Sequence, residues 1–206
     1  VLIQLCDAVA ALPDLPESVR AVCDRLTHTR SEQIEMEAEA LLAGNCRAVD
    51  AAAAPFLVAA LQGYWVNLAS HLTDKHVANL DVPVVCPMCG TPPVASVVRT
   101  DPRSQGFRYL HCALCATEWH MVRVTCTHCQ NTKGMGYHSI EGGSEAIRAE
   151  CCGTCQTYRK IFYQEKDVGV DPVADDLASL ALDLLLGEAG YHRASGNPLL
   201  WHPPNQ

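Results

Sequence analysis

Eight of the twelve cysteines stand in four C-x2-C pairs, and these pairs carry the clearest chemistry in the chain. Two residues between cysteines allow a tight turn to aim both sulfur atoms at one ion, and two such turns close a tetrahedral four-sulfur site. The spacing therefore predicts that all eight cysteines are metal ligands. They are Cys86 and Cys89, Cys112 and Cys115, Cys126 and Cys129, and Cys152 and Cys155.

The first two pairs recur as the last two pairs at one constant separation in sequence, that from Cys86 to Cys126, which we call the repeat offset. Residues 126–155 reproduce the cysteine positions of residues 86–115, so that Cys126 corresponds to Cys86, and each unit reads C-x2-C-x22-C-x2-C. A tandem duplication explains this offset, so repeat symmetry favours one ion in each unit. A crossed site made by the second and third pairs stays open as an alternative, because the segment between those pairs is short.

The ligand type narrows the metal without fixing it. Four thiolates leave no vacant position for a water molecule, which predicts a structural or electron-transfer site. Tetrahedral sulfur suits zinc and a single iron ion equally. The turn Cys86-Pro87-Met88-Cys89-Gly90 resembles the knuckle of rubredoxin, which favours iron, although zinc ribbons use the same turn. Disulfides and a thioredoxin-type dithiol are weaker alternatives, because the first need an oxidising compartment and the second needs only one pair.

The other cysteines and the nearby histidines are not needed as ligands. Cys6, Cys23 and Cys46 lie on helical patterns and are predicted to be small buried residues. Cys151 adjoins a ligand, but the repeat offset selects Cys152 instead. Three histidines close to the pairs are expected to support the ligands or to lie on the surface. They are His111, His120 and His128.

Residues 1–80 are predicted to form the helical part that precedes the cysteine pairs. Two helices, near residues 2–12 and from Pro16, are followed by a third, for which Thr29 and Glu32 predict a capping box. A fourth helix begins near Pro55 and is expected to bury one apolar face. That face comprises Phe56, Ala60, Leu61, Tyr64, Leu68 and Leu72.

Residues 81–167 change to short β-branched and aromatic runs between glycine, proline and cysteine turns, which predicts strands. The candidates are residues 94–98, 107–111, 119–124, 146–150 and 158–163. The predicted fold class is therefore α+β. It combines an amino-terminal helical bundle, two tandem rubredoxin-like four-cysteine ribbon modules (86–115 and 126–155) and a carboxy-terminal helix.

Residues 168–206 are predicted to form that last helix and an irregular tail. Asp171 is expected to cap the helix, and Pro172 occupies its first position. The periodicity predicts an apolar stripe and an outward acidic face. The stripe comprises Val173, Leu177, Leu180, Leu184 and Leu185, and the acidic face Asp175, Asp176 and Asp183.

Composition and charge limit the class of protein. The chain is 49% hydrophobic and 18% charged, which is enough apolar material for a folded core. Its formal charge is -8, and residues 81–167 carry 9 basic against 8 acidic groups, so nucleic-acid binding has no electrostatic basis. Residues 51–73 contain no charged side chain, but their polar residues favour a buried helix over a membrane span. We also expect no secretory signal, because no basic and apolar leader opens the chain.

These motifs resemble one known family, the formate dehydrogenase accessory proteins (FdhE). The resemblance covers about residues 54–200. It rests on CPMCG from Cys86, YLHCALCATEWH from Tyr109, the pairs at Cys126 and Cys152, YQEKD from Tyr163, ADDLASL from Ala174, and APF from Ala54 with Tyr64 and Trp65. Family members have a longer amino-terminal helical part, so the resemblance implies that this chain is truncated.

The resemblance implies a cytoplasmic maturation factor that is not itself an enzyme. Such a factor contacts the molybdenum-containing catalytic subunit of formate dehydrogenase before export by the twin-arginine route, with rubredoxin-like iron at the cysteine pairs. Candidate contact residues are Glu118, Trp119 and His120, together with Asp175 and Asp176. Two alternatives are a rubredoxin-type iron electron carrier and a zinc-ribbon nucleic-acid-binding module.

Overall fold

The computed structural model describes residues 1–73, 75, 77, 84–102 and 106–200, apart from the side chain of Cys46. The chain divides into two compact units, Val1–Leu68 with Pro198–Gln206 and Ala69–Asn197. Buried residues form a core within each unit. The α+β fold class is confirmed, since helices come first, six strands follow, and two further helices precede the last strand of the sheet.

The first unit is built from four α-helices. They are α1 (Leu2–Ala10), α2 (Glu17–His28), α3 (Ser31–Leu42) and α4 (Ala54–Ser70), with a short 3-10 turn at Cys46–Ala48. Their apolar side chains form one core, which comprises Cys6, Cys23, Leu26, Val49, Ala53, Ala54 and Leu57. As predicted, Cys6 and Cys23 are buried in this core.

The predicted capping box at the start of α3 is wrong. The Thr29 hydroxyl donates a hydrogen bond to the backbone carbonyl of Arg25 at 2.8 Å, which satisfies the last turn of α2. Helix α3 instead begins after Arg30, and that residue makes no side-chain cap. Because the Thr29 hydroxyl is engaged at the end of α2, it does not cap the start of α3, although its spacing from Glu32 is that of a capping box.

The buried face of α4 also differs from the prediction. Ala54, Leu57 and Val58 are its buried residues, whereas Tyr64 is 55% exposed and Leu68 is 38% exposed. The first turns therefore pack against the helical core, and the later turns present apolar side chains outward. Among the helices that the structure describes, none is long and apolar enough to cross a bilayer.

The second unit contains a seven-stranded sheet. Its strands are β1 (Ala95–Val98), β2 (Arg108–His111), β3 (Glu118–His120), β4 (Met135–His138), β5 (Ile147–Cys152), β6 (Thr157–Tyr163) and β7 (His192–Arg193). The order across the sheet is β3-β2-β1-β6-β5-β4, and β7 pairs with β6. Four of these strands match the predicted runs, and β3 overlaps the predicted run 119–124 only at its first two residues, since residues 121–124 lie outside any strand. Strands β4 and β7 were not predicted.

The strand positions display the duplication directly. Strand β4 follows β1 at the repeat offset, and β2 and β3 have counterparts in β5 and β6 at the same offset. Each triplet forms an antiparallel ribbon. The two ribbons join where β1 and β6 run parallel, with Ser96 opposite Ile161 and Val98 opposite Tyr163. One continuous sheet therefore carries both copies.

Two short helices lie between β6 and β7 along the chain, α5 (Ala174–Ala178) and α6 (Leu180–Glu188). The Asp171 carboxylate accepts hydrogen bonds from the backbone N–H groups of Val173 at 2.8 Å and Ala174 at 2.7 Å. Helix α5 nevertheless begins at Ala174 with Val173 as its N-cap, so the predicted cap at Asp171 and the predicted first position at Pro172 are wrong. The predicted single helix is interrupted at Ser179, whose hydroxyl donates to the Asp175 carbonyl at 2.6 Å. Residues 201–206 of the predicted tail lie outside the described residues.

The predicted faces of this helical segment are wrong. Asp176 is fully buried and Leu184 is 71% exposed, whereas the prediction placed Asp176 outward and Leu184 inward. Leu182 and Leu186 pack against the sheet instead. The break at Ser179 changes the helical phase, so one stripe does not run through both helices.

A buried lysine explains the inversion. Lys160 on β6 has no exposed side-chain surface, and its ammonium group lies 3.4 Å from the Asp176 carboxylate and 2.6 Å from that of Asp183. Arg193 and Asn197 also contact Asp176. Because a buried cation must be paired, these aspartates turn toward the sheet.

We expect Lys160→Met to lower the free energy of unfolding by about 3–5 kcal/mol, because it leaves buried carboxylates without their lysine. Urea unfolding followed by tryptophan fluorescence, to which buried Trp119 contributes, would measure this loss. The matched control is Lys166→Met, which removes an exposed ion pair to Glu145 at 3.4 Å and should cost less than about 1 kcal/mol. Equal losses in the two variants would contradict the prediction.

Candidate metal centres

Each C-x2-C pair lies in a turn of the same geometry. The backbone N–H of the residue after the second cysteine donates to the carbonyl of the first cysteine at 2.9–3.0 Å in all four turns. That donor residue has a positive φ in every case, which glycine adopts without strain and other residues rarely adopt. The four residues are Gly90 (73°), Ala116 (57°), Gln130 (61°) and Gln156 (55°). The turns therefore impose one backbone shape, even where glycine is missing.

The turns bring eight sulfur atoms into two clusters. We call Cys86, Cys89, Cys112 and Cys115 cage 1, and we call Cys126, Cys129, Cys152 and Cys155 cage 2. Within each cage the sulfur atoms all lie within 4.8 Å of one another. The structure therefore groups the cysteines by repeat unit, and the crossed arrangement does not form.

The sulfur spacing fits a four-coordinate ion. In cage 1 the Cys86–Cys115 and Cys89–Cys112 sulfur pairs are 3.4 Å apart, and in cage 2 the corresponding pairs are 3.7 Å apart. A tetrahedron with metal–sulfur distances of about 2.3 Å has edges of about 3.8 Å. A disulfide would require about 2.05 Å. Both cages therefore have the size of a zinc or iron site.

Threonine hydroxyls lie beside the sulfur atoms. The Thr91 hydroxyl is 3.4 Å from the Cys89 sulfur, and the Thr117 hydroxyl is 3.1 Å from that of Cys115. In cage 2 the Thr157 hydroxyl is 3.0 Å from the Cys155 sulfur. When the sulfur is a thiolate, the hydroxyl donates to it, which orients the ligand and stabilises its negative charge.

Close packing of the thiols changes their acidity in cage 1. The hydrogen bond from the Cys112 thiol lowers the pKa of Cys89 to about 6, and the same thiol lowers the pKa of Cys115. The pKa of Cys112 is raised, because its hydrogen bond to Cys115 holds its own proton. These shifts favour ionisation of Cys89 and Cys115 over that of Cys112, and a bound metal ion would displace the remaining protons.

The two cages differ in exposure. Cage 1 has three buried cysteines, and only Cys89 is half-buried, whereas in cage 2 Cys129 is exposed and Cys155 is half-buried. Burial would raise the pKa of Cys152, but backbone N–H groups of Cys155 and Thr154 outweigh it and lower that pKa to about 7. Solvent therefore reaches the sulfur ligands of cage 2 more readily than those of cage 1.

Cys151 stands apart from both cages. It is buried, and burial raises its pKa to about 12, so it remains a neutral thiol. Of the histidines near the cysteine pairs, His111 lies 3.0 Å from the Glu118 carboxylate, and His128 is exposed. None of these residues belongs to a sulfur cluster in the described part of the chain. The side chain of Cys46 lies outside that part.

The predicted contact residues near cage 1 are in three different environments. Glu118 is paired with Arg99 and His111. Burial would raise the pKa of Glu118, but these two hydrogen bonds outweigh it and lower that pKa to about 2. Trp119 is only 7% exposed, whereas His120 is exposed, with its ring against Phe107. Only His120 therefore offers a free side-chain surface.

The predicted acidic contact face is not formed. Asp176 is buried among Lys160, Arg193 and Asn197, as described above. Asp175 is half-buried, and its carboxylate accepts a hydrogen bond from the backbone N–H of Asp171 at 2.8 Å. Asp176 therefore stabilises the fold and does not lie on an accessible surface.

Sequence reasoning missed a buried charge network at the join between the two ribbons. Arg108 on β2 lies 3.1 Å from the Glu150 carboxylate on β5, and the Ser96 hydroxyl donates to the same carboxylate at 2.8 Å. Arg108 also donates to the carbonyl of Thr125 at 3.1 Å. The available signal was the occurrence of charged residues at inward positions of short strands, as in FRYLH and YRKIFY.

Two four-cysteine ribbons that share one sheet, preceded by helices, define a class of tandem four-cysteine ribbon proteins. Within this class the chain belongs to the FdhE family. Residues 1–81 match FdhE, N-terminal; residues 85–123 match FdhE, central domain; and residues 124–200 match FdhE, C-terminal domain. The family resemblance read from the cysteine motifs is thereby confirmed.

Individual relatives agree with this assignment. The chain is 46% identical to the Protein FdhE homolog of Cronobacter sakazakii and 44% identical to Protein FdhE of Salmonella paratyphi A, in each case over 190 residues and 92% of its length. It spans 61% of the length of these curated relatives. The crystal structure of the FdhE protein from Pseudomonas aeruginosa matches with a TM-score of 0.85 and 41% identity, covering 97% of this chain and 70% of that one.

We expect metal analysis by mass spectrometry to find two ions per chain, one for each cage. Cys89→Ser and Cys129→Ser should each reduce the content to one ion after dialysis against a mild chelator, because each cage loses a ligand separately. Cys151→Ser is the matched control, since it changes a buried thiol next to a ligand, and it should retain both ions. Loss of an ion from the control, or of both ions from one ligand variant, would contradict the assignment.

Proposed function

We propose that the protein is a cytoplasmic maturation factor for formate dehydrogenase, which binds the catalytic subunit of that enzyme and holds one metal ion in each cage. The observation that carries the proposal is membership of the FdhE family with both four-cysteine cages assembled. Iron is the favoured ion, because the Cys86–Gly90 turn has the residue pattern of a rubredoxin knuckle, while zinc would fit the same ligands.

The cages support binding and not catalysis in this proposal. Four cysteine ligands fill a tetrahedral ion, so neither cage would offer a position for activating water or substrate. A filled cage would instead fix two turns and the strands that leave them. The surface around the cages would then be rigid enough to recognise a folded partner with little entropy loss.

The surface beside cage 1 is the proposed contact area. A groove of about 390 Å³ lies next to the first turn and is lined by Pro87, Met88, Thr117, Glu118, Trp119 and residues 69, 72, 73 and 77. At the neighbouring sheet edge, the rings of Phe107 and His120 stack edge-on with 5.4 Å between their centres, and both are exposed. Exposed aromatic side chains are enriched in protein interfaces.

A rubredoxin-type electron carrier remains the second candidate, because the exposed Cys129 would give electrons a short path to an ion in cage 2. The nucleic-acid alternative lacks comparable support. Arg108, Arg159 and Lys160 are buried in the sheet, so they cannot contact phosphates. Iron-loaded protein with a reversible one-electron wave would favour the carrier, whereas a colourless zinc protein would exclude it.

We expect immobilised intact protein to retain the catalytic subunit of formate dehydrogenase from an anaerobic extract. Cys86→Ser and Cys126→Ser should each reduce this retention, because an incomplete cage no longer fixes its turns. Cys151→Ser serves as the control and should retain the subunit normally. If the intact protein fails to retain the subunit, the proposed function is wrong.

The contact area can be tested separately. We expect the double change Phe107→Ala and His120→Ala to weaken retention of the catalytic subunit while leaving the metal content at two ions. Tyr137→Ala on β4 is the matched control, because it removes an exposed aromatic ring from the opposite edge of the sheet. Equal retention by both variants would show that the partner binds elsewhere.

A further inference from the structure

The duplication provides an internal comparison between the two cages. Strand β6 carries Arg159 where its counterpart β3 carries Trp119, and the turn of cage 2 carries Thr127 where that of cage 1 carries Pro87. Both pairs of positions are related by the repeat offset. The cysteines are therefore identical in the two repeats, but the residues that surround them are not.

Arg159 is held rigidly beside cage 2. Its side chain is buried, and its guanidinium donates hydrogen bonds to the hydroxyl of Thr127 at 2.8 Å and to that of Ser195 at 2.7 Å. It also donates to the carbonyl of Pro93, next to β1 of the first ribbon. Because Thr127 lies between two ligands of cage 2, Arg159 fixes the turn that presents them.

A small cavity is lined both by Arg159 and by ligands of cage 2. Its volume is about 10 Å³, close to the minimum for one water molecule. Its lining includes Cys126, Cys152, Thr127, Glu150 and Arg159. The charged residues and two ligands of cage 2 therefore border the same small space.

The buried side chains near cage 2 carry a net positive charge, which would stabilise the negative charge of a metal–thiolate complex. Four thiolates around a divalent ion carry a net charge of about -2, whereas buried Arg108 and Arg159 outnumber the single carboxylate of Glu150. Burial lowers the pKa of Arg159 to about 10, which still leaves it cationic at neutral pH. In a poorly solvated region a fixed cation stabilises a neighbouring anionic complex more strongly than it would in water.

The corresponding positions near cage 1 provide no such cation. Pro87, Leu110 and Trp119 replace Thr127, Glu150 and Arg159, and all three are apolar. The carboxylate of Glu118 is the ionised group next to Trp119, and it is already paired with Arg99 and His111. Cage 1 therefore relies on burial of its cysteines, while cage 2, with exposed Cys129, has a buried cation.

We infer that Arg159 is a positioning residue for the metal ion of cage 2, which it stabilises through its positive charge and through the turn at Thr127, and that Trp119, at the corresponding position of cage 1, supplies no such charge. This inference rests on metal occupancy of the cages, as in the proposed function, but not on binding of the catalytic subunit.

The test is competition for zinc between the full chain and a coloured chelator, which reports release from each cage as a separate phase. Cys89→Ser and Cys129→Ser assign the phases. We expect Arg159→Gln to weaken zinc binding by about 10–100-fold in the cage 2 phase and to leave the cage 1 phase unchanged. Unchanged zinc affinity in the cage 2 phase, or equal weakening in both phases, would overturn the inference.

Two further variants show whether a change in zinc binding arises from the charge of Arg159 or from a failure of the variant to fold. Arg148→Gln is the matched control, because it removes a cation that lies over the Tyr163 ring at the end of β5 remote from Cys152, and it should change neither phase. If Arg159→Gln does not fold, Thr127→Val decides the question, since it removes one hydrogen bond and keeps the cation. It should weaken only the cage 2 phase, and an unchanged phase would count against Arg159.

Discussion

The second unit depends on one geometric constraint: in each of the two cages, four cysteine sulfur atoms must come together around one point. Its strands are short, from two residues in β7 to seven in β6. The pairing of the strands fixes where the cysteines meet. For example, the backbone N–H of Cys112 donates a hydrogen bond to the Thr117 carbonyl at 3.0 Å, next to the end of β2. Metal binding at these points would therefore supply folding free energy as well as a rigid surface.

Charge is the second factor that shapes this unit. Arg108, Arg159 and Lys160 are all buried in the sheet, where an unpaired cation would be strongly destabilising. Each of them has acceptors on a different element: Glu150 on β5, Thr127 in the cage 2 turn, and Asp176 on α5. These pairs hold the two ribbons, the turn and the helix together, and they place positive charge near sulfur ligands that become anionic when they bind a metal.

Features encoded locally were predictable from the sequence, and those that depend on distant partners were not. The cysteine turns, the repeat and the backbone hydrogen bonds that Asp171 accepts follow from residues a few positions apart or from a regular spacing. Strand β4 was missed because MGYH contains glycine and is largely exposed, so it lacks strand periodicity, although its counterpart β1 in the first repeat could have revealed it. The faces of α5 and α6 were inverted because Lys160, a residue of the sheet, determines which aspartates turn inward.

The parallel pairing of β1 with β6 determines where a further ribbon could be added to the sheet. It joins the first strand of one ribbon to the last strand of the other, so the strands equivalent to this pair, β4 and β3, become the two outer margins of the sheet. A head-to-tail contact of this type does not close on itself. A third ribbon could therefore be appended at either margin by repeating the existing contact. Margins only three and four residues long, one interrupted by Gly136, give separate molecules little to polymerise through.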